Sequence, residues 1–90
     1  MYKIIYSKKF KRNYKKFIKR FPYLTKQIEN SIKSLGNNPF SNLTHKLSGE
    51  LFELYACKCG YDCRIIFSIE NIKNENIILI VDIGTHNEVY

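Results

Sequence analysis

The segment Gly84-Thr85-His86-Asn87-Glu88-Val89-Tyr90 puts a histidine and a tyrosine directly after an apolar run, Ile77-Ile78-Leu79-Ile80-Val81. An imidazole titrates near pH ~6.5, so His86 can exchange a proton at neutral pH with little help from its surroundings. His45, Lys58, Asp62, Arg64 and Tyr90 are the other polar residues of suitable chemistry. Together they could cleave a phosphodiester without a metal. One group would deprotonate a nucleophile, another would protonate the leaving oxygen, and cations would stabilise the pentavalent transition state. In RNA the nucleophile can be the neighbouring 2′-hydroxyl. The sequence has no P-loop, Gly-rich dinucleotide fingerprint or metal-binding carboxylate cluster to support another enzyme class, and no cofactor is expected. Each candidate also has a structural explanation. His45 could cap a turn, Arg64 could pair with Asp62 or Glu53, Tyr90 could anchor the C-terminus by its ring, and His86 could sit in a surface tail.

Such residues have to be placed by strand ends and the links between strands. Tyr2, Ile4 and Tyr6 alternate in a short N-terminal strand. Ser7 is a good N-cap for a helix from Lys8 to Phe21, in which Phe10, Tyr14, Phe17, Ile18 and Phe21 share one face. Pro22 breaks that pattern and opens a second helix, where Leu24, Ile28, Ile32 and Leu35 repeat at helical spacing until Gly36 ends it. Turn chemistry follows in Gly36-Asn37-Asn38-Pro39 and Ser41-Asn42. Three apolar, β-branched stretches then run from Leu51 to Cys57, Arg64 to Ile69 and Ile77 to Ile83. They are separated by Cys59-Gly60-Tyr61-Asp62 and by Glu70 to Glu75, which predicts an antiparallel meander. The last stretch is apolar on both faces and should be central. The expected fold is α+β in the order β-α-α-β-β-β, a helical hairpin packed on one face of a small, mainly antiparallel sheet, with residues 1–90 as one domain.

The formal charge of +7 is unevenly spread: residues 1–45 hold 11 Lys/Arg against Glu29 alone, and residues 46–90 hold 4 against 7 acids. The first helix carries Lys8, Lys9, Lys11, Arg12, Lys15, Lys16, Lys19 and Arg20 with no acid, a density that favours RNA or an acidic protein segment as partner. No apolar run reaches the ~20 residues of a membrane span and no signal-peptide core follows Met1, so the chain is expected to be soluble and cytoplasmic. Cys57, Cys59 and Cys63 are odd in number and clustered, a poor disulfide framework that predicts partly buried thiols in a reducing compartment. With His45 they could supply four zinc ligands, but C-x-C-x3-C lacks the paired C-x2-C spacing of structural sites, and no metal is expected.

The element order, with Lys46-Leu47-Ser48-Gly49, Tyr61-Asp62-Cys63-Arg64-Ile65-Ile66-Phe67 and Ile83-Gly84-Thr85-His86-Asn87-Glu88-Val89-Tyr90, resembles the RelE/ParE toxin superfamily. Within it the whole chain is most similar to the YafQ-like branch of RelE-type mRNA interferases. The resemblance implies a toxin of a type II toxin-antitoxin system that cleaves mRNA, commonly on the ribosome, and is held inactive by a cognate antitoxin. It implies that His86, in the Gly-Thr-His motif, is a general acid or base. His45 matches the histidine before the branch's Leu-x-Gly segment, and Asp62 the acidic residue that opens its third strand. Arg64 matches the RelE arginine that stabilises phosphate, and Tyr90 the terminal aromatic that stacks on a base or assists proton transfer. The chain departs from the pattern at Lys58, where a histidine would stand, and at Asp82, where an arginine would precede the Gly-Thr-His turn. Lys58 and Lys46, with Lys8, Lys9, Lys11, Arg12, Lys15, Lys16 and Lys19, are the expected RNA-binding cations.

Two other functions fit the same sequence. A ParE-like toxin would inhibit DNA gyrase by binding, without needing an imidazole pair. A non-catalytic RNA- or ribosome-binding module would use the Lys8 to Arg20 face alone.

Overall fold

The computed structural model describes residues 2–40, 44–47 and 54–89. Its elements run β1 (Lys3–Tyr6), α1 (Lys8–Arg20), a 3₁₀ turn (Pro22–Leu24), α2 (Thr25–Asn37), β2 (Thr44–Leu47), β3 (Leu54–Gly60), β4 (Cys63–Ile72), β5 (Glu75–Gly84) and α3 (His86–Val89). The sheet order is β1-β5-β4-β3-β2. Only β1 and β5 pair in parallel, from Lys3 opposite Ile77 to Tyr6 opposite Ile80. The apolar run in β5 therefore has a strand on each edge, and its side chains from Ile77 to Val81 are buried or half-buried on both faces, in keeping with its lack of alternation.

Ser7 starts α1 and also joins it to β5. Its hydroxyl accepts from the Phe10 N–H at 3.0 Å and donates to the Val81 carbonyl at 2.8 Å, while its own N–H donates to the Ile80 carbonyl at 3.0 Å. Phe10 and Phe17 are buried and Tyr14, Ile18 and Phe21 lie against the core, as the helical spacing predicts. Pro22 opens the 3₁₀ turn, and α2 begins only at Thr25. Gly36 does not end α2, which runs on to Asn37; its carbonyl instead accepts from the Tyr2 N–H at 2.9 Å and fastens the helix to the start of β1.

The strands are longer than their apolar stretches. β4 and β5 continue past the core through exposed rungs, where Asn71 donates to the Asn76 side-chain oxygen at 2.8 Å, to a two-residue turn. Lys73 and Asn74 both have positive φ, 51° and 66°, the twist that a tight hairpin requires. Two elements lie outside the expected order. The four residues of β2 pair antiparallel with β3, from Thr44 opposite Cys57 to Leu47 opposite Leu54, and α3 follows β5. The proposed strand start at Leu51, with Ser48, Gly49 and Glu53, falls outside the described residues.

Helix side chains Phe10, Phe17, Leu24, Ile28 and Leu35 meet Cys57, Cys59, Cys63, Ile65, Phe67, Ile78, Ile80 and Ile83 from the sheet in one core. The expectation of three thiols is overturned: Cys59 and Cys63 form a disulfide across the β3–β4 hairpin, with their Cα atoms 5.1 Å apart. The spacing rule failed because Gly60 pairs with Cys63, so a tight turn brings two cysteines four residues apart into adjacent positions. Cys57 is buried, its sulfur 3.5 Å from the Lys58 carbonyl. Among the described residues no helix is long and apolar enough to cross a membrane. Phe67 is fully buried at the centre of the core, stacked on Tyr55. Phe67→Ala is expected to lower unfolding free energy by about 3–5 kcal/mol, measured by urea denaturation.

Candidate active site

The site is built where the tip of the β3–β4 hairpin meets the end of β5. One row of the sheet runs Lys58, Arg64, Gly84 across these three strands. Past Gly84 the strand ends because Thr85 begins α3. The Thr85 N–H donates to Glu88 Oε1 at 2.9 Å, and the Thr85 carbonyl accepts from the Glu88 and Val89 N–H groups at 3.0 and 3.2 Å. This is one half of a capping box, read from Thr85 and the Glu three residues later. The turn folds back so closely that a Cβ on Gly84 would lie 3.0 Å from Val89 Cγ1 and 3.1 Å from Glu88 Cβ. His86, the first residue of α3, is thereby held at the sheet's rim with its side chain exposed.

Asp62 supplies the second hold on His86. It occupies the hairpin tip with φ 51°, a left-handed conformation that Asp tolerates, and its carboxylate accepts from the His86 N–H at 3.0 Å. The bond engages the backbone of His86, so Asp62 is placed to orient that residue.

Lys58 and Arg64 stand directly opposite each other on neighbouring strands. Like charges in that position oppose pairing. The Arg64 guanidinium donates to the Cys63 carbonyl at 3.0 Å, and among the described residues no carboxylate forms an ion pair with either cation. Their charge is left available to an anion from solution.

The acids nearest in sequence are used elsewhere. Asp82 is 9% exposed, and its carboxylate accepts from the Asn13 amide at 2.6 Å and from the Ile83 N–H at 2.8 Å, with Lys9 Nζ at 3.5 Å. The carboxylate that departs from the family pattern is thus turned to α1 and already partnered. Glu88 binds Arg20 at 2.7 Å, which ties the end of α1 to α3. The Thr85 N–H, and then Arg20, hold the Glu88 carboxyl below its usual value. Lys9, Asn13 and Arg20 therefore lie on the edge of α1 that faces Asp82 and Glu88, and Asn13, Lys16 and Arg20 line a cavity of about 270 Å³ there.

The expected site residues divide accordingly. Asp62, Arg64, Lys58 and His86 share one corner. His45 lies in β2 opposite Ala56, in the row that continues through Ile66 to Asp82, and its side chain is outside the described residues, as is Tyr90. Lys46 is exposed opposite Tyr55. Lys8, Lys11, Arg12, Lys15, Lys16 and Lys19 are exposed along α1, and Lys9 is engaged by Asp82. Sequence reasoning missed Asn13, Glu88 and Arg20 as the residues that fix this corner. Thr85-x-x-Glu88 carried a readable capping signal, whereas nothing in sequence marks Asn13 as a partner of Asp82.

A family model for the bacterial toxin of type II toxin-antitoxin systems, YafQ, matches residues 2–90. No curated protein matches the chain. Among solved structures, the chain is similar to a metal-bound toxin from Helicobacter pylori, with 26% identity, TM-score 0.72 and 100% of both chains covered. It is also similar to YafQ from E. coli, with 16% identity, TM-score 0.76 and coverage of 100% of this chain and 99% of that one. The E. coli DinJ-YafQ toxin-antitoxin complex matches with 16% identity, TM-score 0.76, and coverage of 99% and 97%.

Two outcomes follow from the charges. Asp82→Ala leaves the Asn13 amide and the Ile83 N–H without their acceptor, so it should cost about 1–3 kcal/mol in urea denaturation. A folded-state value below that of the unfolded chain means that Glu88 stabilises the fold above its unfolded value of about 4.5, a contribution lost as pH falls through the folded one. Carboxyl NMR titration should place Glu88 below 4.5, and Arg20→Ala should restore only the smaller part of the shift, since the Thr85 N–H remains.

Proposed function

The chain belongs to the YafQ family of bacterial toxins of type II toxin-antitoxin systems, and from that premise we propose that it is a metal-independent endoribonuclease acting on mRNA at the ribosome. The observation that carries this reading is the Lys58–Arg64 pair, two adjacent cations without carboxylate partners among the described residues, in the row that leads to His86. A pair of uncompensated charges at a strand end suits a phosphate that gains negative charge in the transition state.

In the proposed reaction the RNA 2′-hydroxyl loses its proton and attacks the adjacent phosphorus. The bond to the 5′-oxygen breaks, and that oxygen leaves protonated. The products carry a 2′,3′-cyclic phosphate and a 5′-hydroxyl. His86 transfers one of these protons and His45 is its candidate counterpart. Arg64 and Lys58 stabilise the pentavalent phosphorus, and Tyr90 stacks on a base or assists proton transfer. Asp62 acts through the His86 backbone, as a positioning residue.

The exposed cations of α1 would add sequence-independent attraction to RNA. They also suit the acidic, partly disordered segment of a cognate antitoxin that folds on binding. A related toxin is known in complex with its antitoxin, the E. coli DinJ-YafQ pair.

His86→Ala is expected to slow mRNA cleavage by about 10²–10⁴-fold, the usual contribution of general acid-base catalysis. Cleavage is followed by mapping transcript ends with purified ribosomes in the presence of EDTA. Equal cleavage by wild type and variant would remove the assignment.

A further inference from the structure

We propose that the Cys59–Cys63 disulfide is a redox control on His86: closed, it holds the hairpin tip in the conformation from which Asp62 caps the His86 N–H, and reduction releases that hold. The effect on catalysis rests on the proposed role of His86, whereas the mechanical coupling rests on the geometry of the tip.

The disulfide closes a ring of Cys59, Gly60, Tyr61, Asp62 and Cys63. Both left-handed residues of this hairpin lie inside it, Gly60 with φ 137° and Asp62 with φ 51°. Glycine enters this region without strain, whereas Asp tolerates it but is steadied there by its contacts. At Gly60 a Cβ would also come within 2.9 Å of Leu24 Cδ2 and Gln27 Oε1, so α2 and the turn before it pack closely on that side of the tip. Asp62 is held by its own contact with the His86 N–H at 3.0 Å and by the ring. The sheet offers the tip less support, because the pairing of β3 with β4 is irregular between Lys58 and Gly60 and Gly60–Cys63 is the last rung. Beyond it Tyr61 is 91% exposed. The covalent bond therefore closes the hairpin at the point where the ladder ends, one residue from the carboxylate that reaches His86. The Lys58–Arg64 rung lies immediately behind it.

A dithiol supplies the electrons. Its first thiolate attacks one sulfur, the S–S bond breaks, and the other cysteine leaves as a thiolate. The second thiol of the reductant then resolves the mixed disulfide and departs as a cyclic disulfide. Two electrons and two protons pass to Cys59 and Cys63. Both sulfurs are buried, so exchange requires the tip to open locally, the motion that also separates Asp62 from His86. Cys57 lies two residues away, buried and outside the ring, and serves as a control.

The test uses the full chain, oxidised or treated with dithiothreitol under argon, with the disulfide assigned by mass spectrometry of alkylated peptides. Reduction should accelerate His86 amide exchange by about tenfold or more, the effect of losing one charge-assisted hydrogen bond. It should lower kcat for RNA cleavage by about five- to tenfold with KM little changed, as expected for a misoriented group. The Cys59→Ser/Cys63→Ser double variant should match the reduced protein under both conditions, and Cys57→Ser should respond like wild type. Alkylation of all three cysteines in the air-oxidised protein would overturn the proposal, as would His86 exchange insensitive to dithiothreitol. Loss of far-UV circular dichroism on reduction would also overturn it, because the bond would then be a general staple. Redox-sensitive His86 exchange without RNA cleavage in either form upholds the coupling and removes the catalytic assignment instead.

Discussion

Everything in this fold hangs on where β5 is inserted. Residues near the C-terminal end of the chain lie between the first strand and the fourth, parallel to one and antiparallel to the other. Among the described strands β1 pairs with β5 alone, and Ser7 fastens the start of α1 to Ile80 and Val81. Contacts of such sequence separation require a long loop to close before they stabilise anything. The apolar content of β5 meets that demand, with Ile77, Ile78, Ile80 and Ile83 all buried. The same strand then delivers Gly84, Thr85 and His86 to the rim. Forming the core and placing the imidazole are consequences of one insertion.

Charge is sorted by the same geometry. The two acids at the end of β5 and in α3 face α1, where Asn13 and Lys9 take Asp82 and Arg20 takes Glu88. These contacts differ in weight. The Arg20–Glu88 pair is about half exposed on both sides, and such pairs contribute roughly 0–1 kcal/mol. Asp82 is nearly buried and meets two neutral donors besides Lys9, so much of its worth lies in what those donors would lose without it. Both carboxylates are thus drawn toward the helix, while Lys58 and Arg64, on the two strands beyond, have no ion pair among the described residues.

The helices and the central strand were legible because each has a strong period or run: the aromatic face of α1, the leucine and isoleucine repeat of α2, the continuous apolar stretch of β5. β2 was not, since Thr44-His45-Lys46-Leu47 has neither alternation of its own nor length, and it becomes a strand only by pairing with β3. The ends of β4 and β5 were missed for the opposite reason. Their polar rungs read as a loop, yet the left-handed Lys73-Asn74 turn lets the ladder continue beyond the core. At the site, His86 and Arg64 stand out by residue type, whereas nothing in the sequence marks the contact of the Asp62 carboxylate with the His86 N–H. Side-chain chemistry can be inferred from a sequence, whereas the partner of a carboxylate depends on register.

Several backbone contacts place the turn that carries His86, and they bear on how the site tolerates departures from the family pattern. The His86 N–H is held by Asp62, the Thr85 N–H and carbonyl are occupied within α3, and Gly84 is packed beneath the turn. None of these holds requires a particular residue at position 58 or an arginine at position 82. Lys58 can supply charge where a histidine would supply a proton-transfer group, and Asp82 can serve the helix, without moving the imidazole. What the corner does require is a hairpin tip that keeps Asp62 in its left-handed conformation, because that carboxylate is the link from the β3–β4 hairpin to His86. In this chain the bond between Cys59 and Cys63 spans that tip, so the covalent constraint falls beside the contact that links the hairpin to His86.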